Sequence, residues 1–77
     1  MKKRAYPQRI DQKIATAASE ILSRSSVSEL RNLRVDESTS ELTLSGSVGS
    51  FYHKQLAQES VRMIAGGLRV RNSVSVL

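Results

Sequence analysis

Cysteine and tryptophan are missing from this 77-residue chain, and histidine and proline occur once each, at His53 and Pro7. Without thiols there is no disulfide staple and no thiolate metal site, and a lone imidazole cannot assemble a histidine cluster. The same absence leaves the redox compartment open. The longest uninterrupted apolar stretch is only a few residues, which excludes a membrane-spanning helix. Aromatic residues number three, Tyr6, Phe51 and Tyr52. At this length there is room for one domain and one core, which buries only about 60% of the unfolded surface.

Acidic side chains are also few: seven Asp and Glu against twelve Lys and Arg, a formal charge of +5 and a pI near 10.3. Such a balance serves solubility, and it favours an anionic partner such as nucleic acid or an acidic membrane surface. Basic residues are dense at the N-terminus, with Lys2, Lys3, Arg4, Arg9 and Lys13, yet no apolar run of secretory length follows them. As written, the sequence carries no signal peptide and points to the cytoplasm; a signal removed by processing would place the protein in the periplasm.

Residues 1–8, charged and holding Pro7, read as a flexible basic lead-in, with the domain proper at 9–77. Ile10, Ile14, Ala17, Ala18, Ile21 and Leu22 fall at helical spacing and predict a first helix over about 9–23. The serine-rich stretch from Ser23 to Glu29 should break it into a loop. Leu33 and Val35 alternate with Arg34 and Asp36; after the polar stretch Glu37 to Ser40, Leu42, Leu44, Gly46 and Val48 alternate with Thr43, Ser45 and Ser47. Period two predicts two strands in an antiparallel hairpin. Gly46 on the inward face suggests that a helix or a backbone passes close by.

Ser50 is placed to cap a second helix in which Leu56, Ala57, Ser60, Val61 and Ile64 recur at helical spacing, and Gly66 or Gly67 can close it. Leu68, Val70, Val74 and Val76 alternate with Arg69, Arg71, Ser73 and Ser75 in a last strand, and Asn72 interrupts its apolar face. Helix, strand, strand, helix, strand is an α+β order. Its natural solution is a two-layer sandwich with both helices on one face of a three-stranded mixed sheet.

Three segments resemble the BON domain, a family named for bacterial osmotically inducible and nodulation-related proteins. Leu42-Thr43-Leu44-Ser45-Gly46-Ser47-Val48 is similar to its Val-x-Leu-x-Gly-x-Val strand. Lys54 to Glu59, with Ala57, is similar to the start of its second helix, and Gly67 to Val76, with Val70, Asn72 and Val76, to its closing strand. Leu68 stands where valine is usual, and the hairpin turn has no Asn-Gly. The resemblance covers about residues 9–77 and implies the α-β-β-α-β fold and no enzymatic activity. It further implies binding to phospholipid or membrane surfaces, or a role as an interaction module in envelope proteins. Members are usually exported and often carry two copies; here there is one.

Candidate chemistry is thin. A hydrolase or transferase needs a nucleophile beside a base, or two carboxylates held together. His53, beside Tyr52 and Lys54, reads as a solvent-exposed histidine. Asp36, Glu37 and Glu41 gather near the hairpin without the spaced ligands of a calcium loop, and read as a solvated turn. Gly46-Ser47-Val48-Gly49 is formally the Gly-x-x-Gly of a KH domain, but it lies in a strand pattern instead of between helices. Phe51 reads as a core or edge residue at a strand-to-helix junction. None of the aromatics lies on a strand, which counts against base stacking.

Two basic groups remain: the N-terminal Lys2, Lys3, Arg4, Arg9 and Lys13, and an outward sheet face carrying Arg34, Arg69 and Arg71 among Thr43, Ser45, Ser47, Ser73 and Ser75. The expectation is a non-catalytic binding module, without cofactor or metal, for anionic phospholipid or membrane surfaces. The alternative is a protein-protein interaction or assembly module, including a homo-oligomer. Nucleic acid ranks behind both, kept among the candidates by charge alone.

Overall fold

In the computed structural model, residues 13–77 are described. The first helix, α1 (Lys13–Ser23), buries Ala15, Ala18 and Leu22, which recur at three and four residues along one face. The predicted stripe is rotated slightly: Ala15 is buried, whereas Ile21 remains 39% exposed. The small side chains let α1 lie close against its neighbours. The Ala15 amide donates to Glu37 Oε1 at 2.9 Å, which ties α1 to a side chain 22 residues further along the sequence.

The serine-rich stretch becomes more than a loop. A 3₁₀ helix, Ser28–Asn32, follows the turn after α1 and buries Leu30 completely. With five residues it is too short to show a period, which is why pattern reading passes over it.

Strands β1 (Arg34–Glu37) and β2 (Glu41–Ser45) pair antiparallel, Arg34 opposite Ser45 and Asp36 opposite Thr43. Ser38 supplies the turn chemistry that Asn-Gly usually gives: its amide donates to Glu41 O at 2.8 Å, and its hydroxyl accepts from the Ser40 and Glu41 amides. The run predicted as one strand bends at Gly46, so β3 (Ser47–Val48) stands apart from β2. Gly46 has φ +124°, and a Cβ there would lie 2.9 Å from Leu33 Cδ2. The predicted close approach is therefore real, although its source is Leu33 ahead of β1 and Gly46 itself is exposed.

Helix α2 (Phe51–Ala65) opens with Ser50 Oγ accepting from the His53 amide at 3.1 Å and closes at Gly66, φ +60°. It buries Ala57, Val61 and Ala65; Ile64, predicted on the stripe, is 37% exposed. The last segment also divides, into β4 (Arg69–Asn72), parallel to β2, and β5 (Ser75–Val76), parallel to β3. Asn72 explains its place on the apolar face. Its Nδ2 donates to Lys54 O (2.8 Å) and Gln58 Oε1 (3.2 Å) on α2, while Oδ1 accepts from the Val74 amide (3.2 Å).

The result is an α+β fold, order α-β-β-α-β, with a mixed sheet β1-β2-β4. Leu42, Leu44, Val48 and Val74 form a dry centre with both helices and Leu30.

Candidate functional site

On the outer face of the sheet the register sets Asp36, Thr43 and Arg71 abreast, with Arg34 beside Ser45 and Arg69 beside Glu41. Arg34, Arg69 and Arg71 thus share one face, as the alternation requires. So do two acids: Arg34 Nε lies 3.4 Å from Asp36 Oδ2, and Arg71 Nη1 lies 3.5 Å from Glu41 Oε1. Among the described residues Arg69 has no ion pair. Exposed pairs of this kind contribute about 0–1 kcal/mol, so phosphate oxygens can compete for either arginine, but the face carries little net charge.

The acids read as a solvated turn are each engaged, Glu37 as the acceptor for α1. Ser47 and Ser75 lie opposite each other in the β3–β5 ladder, and Ser73 sits between β4 and β5. Lys13 begins α1 and is exposed. Lys2, Lys3, Arg4 and Arg9, and the predicted lead-in 1–8, lie outside the described residues.

A second cluster forms where β3 meets α2. The capping box that would complete Ser50 needs Glu or Gln at the third helical position, which here holds His53. The carboxylate comes instead from the 3₁₀ helix: Glu29 Oε1 accepts from the Gly49 amide at 3.0 Å and lies 2.6 Å from His53 Nδ1. The Gly49 amide first, and His53 second, hold the Glu29 carboxyl below the usual carboxylate range.

His53 is therefore not the solvated histidine that its neighbours suggest; its side chain is 30% exposed and bonded to Glu29. Sequence reasoning passed over Glu29, since a partner 24 residues away leaves no local pattern. The one available signal was a serine cap with no acid three residues on.

This corner has few catalytic parts. Ser50 Oγ is engaged by the His53 amide, and among the described residues no group of three His, Cys, Asp or Glu side chains could hold a metal ion. Gly46 to Gly49 straddles β3 and is not a KH loop.

Phe51 and Tyr52 are the most exposed aromatics among the described residues. They begin α2 with 76% and 70% exposure, so Phe51 belongs to no core. At helical spacing Phe51 and Tyr52 fall off the buried stripe of Ala57, Val61 and Ala65, whereas His53, in the same turn, lies along it. Leu77, whose amide donates to Val48 O at 2.9 Å, adds an 87% exposed side chain at the same end.

The family model described as the BON domain matches residues 10–77. The chain belongs to the BON family. No curated protein matches it closely enough to add to that assignment. In this BON domain Leu44, Val48 and Ala57 are buried, Val70 and Val76 half-buried, and Asn72 binds the carbonyl of Lys54. Gly66, and not the motif residue Gly67, takes the positive φ that ends α2. No helix among the described residues is long and apolar enough to cross a membrane.

Proposed function

We propose that this BON domain is a non-catalytic module that docks on anionic membrane surfaces. The observation that carries the reading is a BON match over residues 10–77 in a chain of net charge +5. The cations proposed to make the contact are Lys2, Lys3, Arg4, Arg9 and Lys13, helped by Arg34, Arg69 and Arg71. Each cation near an anionic bilayer contributes on the order of 1 kcal/mol, so five of them alone give only roughly millimolar binding. Useful affinity requires a further contribution, from a second copy of the chain or from apolar contact.

Cosedimentation with neutral and anionic liposomes, at low and physiological salt and with duplex and single-stranded oligonucleotides as competitors, tests the proposal. Salt-sensitive binding to anionic liposomes that survives the oligonucleotides supports it. Binding removed by the oligonucleotides would reassign the module to nucleic acid, and no binding to either would reassign it to protein assembly.

A further inference from the structure

Charge alone leaves the proposed membrane contact weak, and the sheet arginines are largely offset by Asp36 and Glu41. The end of the domain where α2 begins has a different composition. Phe51 and Tyr52 stand there largely in solvent, at 76% and 70% exposure. Large apolar side chains on a small soluble domain are informative when they gather in one place and not when they are scattered. Phe51 and Tyr52 are adjacent in the first turn of α2, which starts one short turn after β3.

The surrounding charge points to the kind of partner. Lys54 follows two residues after Tyr52; Arg31 lies on the 3₁₀ helix that contacts Gly49 through Glu29; Arg24 is in the turn joining α1 to that helix. None of the three cations has an ion pair among the described residues. Of the acids near this end, Glu29 is already bound by the Gly49 amide and His53, and Glu20 lies one turn back along α1. An anionic surface approaching here meets the aromatic rings with Lys54, Arg31 and Arg24 around them, while the Glu29 side chain is already bound. Tyr, with an apolar ring and a polar tip, and Lys and Arg, with apolar stems, are side chains suited to the headgroup layer of a bilayer.

Building on the membrane-surface reading, we propose that Phe51 and Tyr52 insert into the interfacial layer of an anionic bilayer, with Lys54, Arg31 and Arg24 on the headgroups. The N-terminal and sheet cations then steer the approach, and this corner holds it. Partial burial of each ring is worth roughly tenfold in affinity, so the pair accounts for about a hundredfold.

The chain has no tryptophan, so Phe51→Trp introduces a single reporter on an exposed position. With vesicles of phosphatidylglycerol and phosphatidylethanolamine its emission should shift to the blue and be quenched by chain-brominated lipid; phosphatidylcholine vesicles should give neither effect. The double variant Phe51→Ser, Tyr52→Ser should keep the wild-type melting temperature and lose about a hundredfold in vesicle affinity.

If the wild type binds anionic vesicles but the reporter does not shift and the double variant binds equally well, insertion is wrong and the membrane reading stands. If the wild type does not bind them at all, both are wrong. A concentration-dependent dimer abolished by the double variant, without vesicle binding, would instead assign this corner to a second copy of the chain.

Discussion

Replacing Asn72 with alanine removes three hydrogen bonds at once, two from Nδ2 to α2 and one accepted by Oδ1 from the Val74 amide. The Lys54 carbonyl lies inside α2 and keeps its place in the helix, so losing that bond costs on the order of 1 kcal/mol. The Val74 amide is different: Val74 is 1% exposed, and among the described residues its N–H has no other partner in the break between β4 and β5. Leaving a buried donor unpaired adds another 1–3 kcal/mol, roughly.

The expected loss is therefore about 2–4 kcal/mol. For a domain of this size each kcal/mol moves the melting temperature by about 4–8 °C, so the shift should be at least about 8 °C. Asn72→Asp separates the contributions. It keeps an acceptor for Val74 but turns a carboxylate toward the Lys54 carbonyl, and should be at least as damaging as alanine. Thermal and urea denaturation of the two variants provide the comparison. An aspartate variant as stable as the wild type would show that the amide donor does not join β4 to α2.

Three further outcomes are expected. Gly46→Val meets both the 2.9 Å approach of Leu33 Cδ2 and a φ of +124°, and should destabilise by about 2–4 kcal/mol; an unchanged melting temperature would contradict the placement of Gly46. The lowered pKa of Glu29 means that its stabilising contribution is present above the ordinary carboxylate range and disappears as pH falls through the folded value. The melting-temperature gap between wild type and Glu29→Gln should accordingly narrow below about pH 4.5, and a pH-independent gap would refute the charged pairing with Gly49 and His53. Changing Lys2, Lys3 and Arg4 together to serine should leave stability intact and remove most anionic-vesicle binding; undiminished binding would place the steering charge elsewhere.

The elements with long, regular patterns were legible in the sequence. Ser50, the buried Ala57 and Val61 of α2 and the closing Gly66 lie where the periodicity put them, as do the alternating Leu42 and Leu44, while Ile64 does not. What escaped was set by contacts between distant segments. On α1 the buried face takes in Ala15 and leaves Ile21 39% exposed, a rotation set by the packing partners that helical spacing alone does not contain.

The 3₁₀ helix and its Leu30 anchor were too short to register as a pattern. Glu29 and His53 find each other only once that helix exists. Arg34, Arg69 and Arg71 were correctly gathered on one face, but Asp36 and Glu41 had been assigned to the turn, so their partial neutralisation of that face became visible only with the register. Of the two places expected for Phe51, core or edge, the structure leaves only the edge, since its helical position falls outside the stripe of Ala57, Val61 and Ala65.

The bends at Gly46 and after Asn72 have a consequence for how the chain can change length. The parallel pairing keeps one offset across them: 41 faces 69 and 44 faces 72 before the bend, 47 faces 75 and 48 faces 76 after it. Between the two ladders the Ser73 and Ser75 amides still donate to Leu44 O and Gly46 O, at 2.8 and 2.9 Å. The two segments thus form a single folded ribbon whose halves are measured against each other. One residue added to either segment alone would slip every pairing beyond it and turn Val48 or Val74 out of the interior. A matched insertion of one residue in both segments would keep the pairing yet swap their inner and outer faces, whereas the Ser38–Ser40 turn, with all its residues exposed, can lengthen without moving a buried side chain.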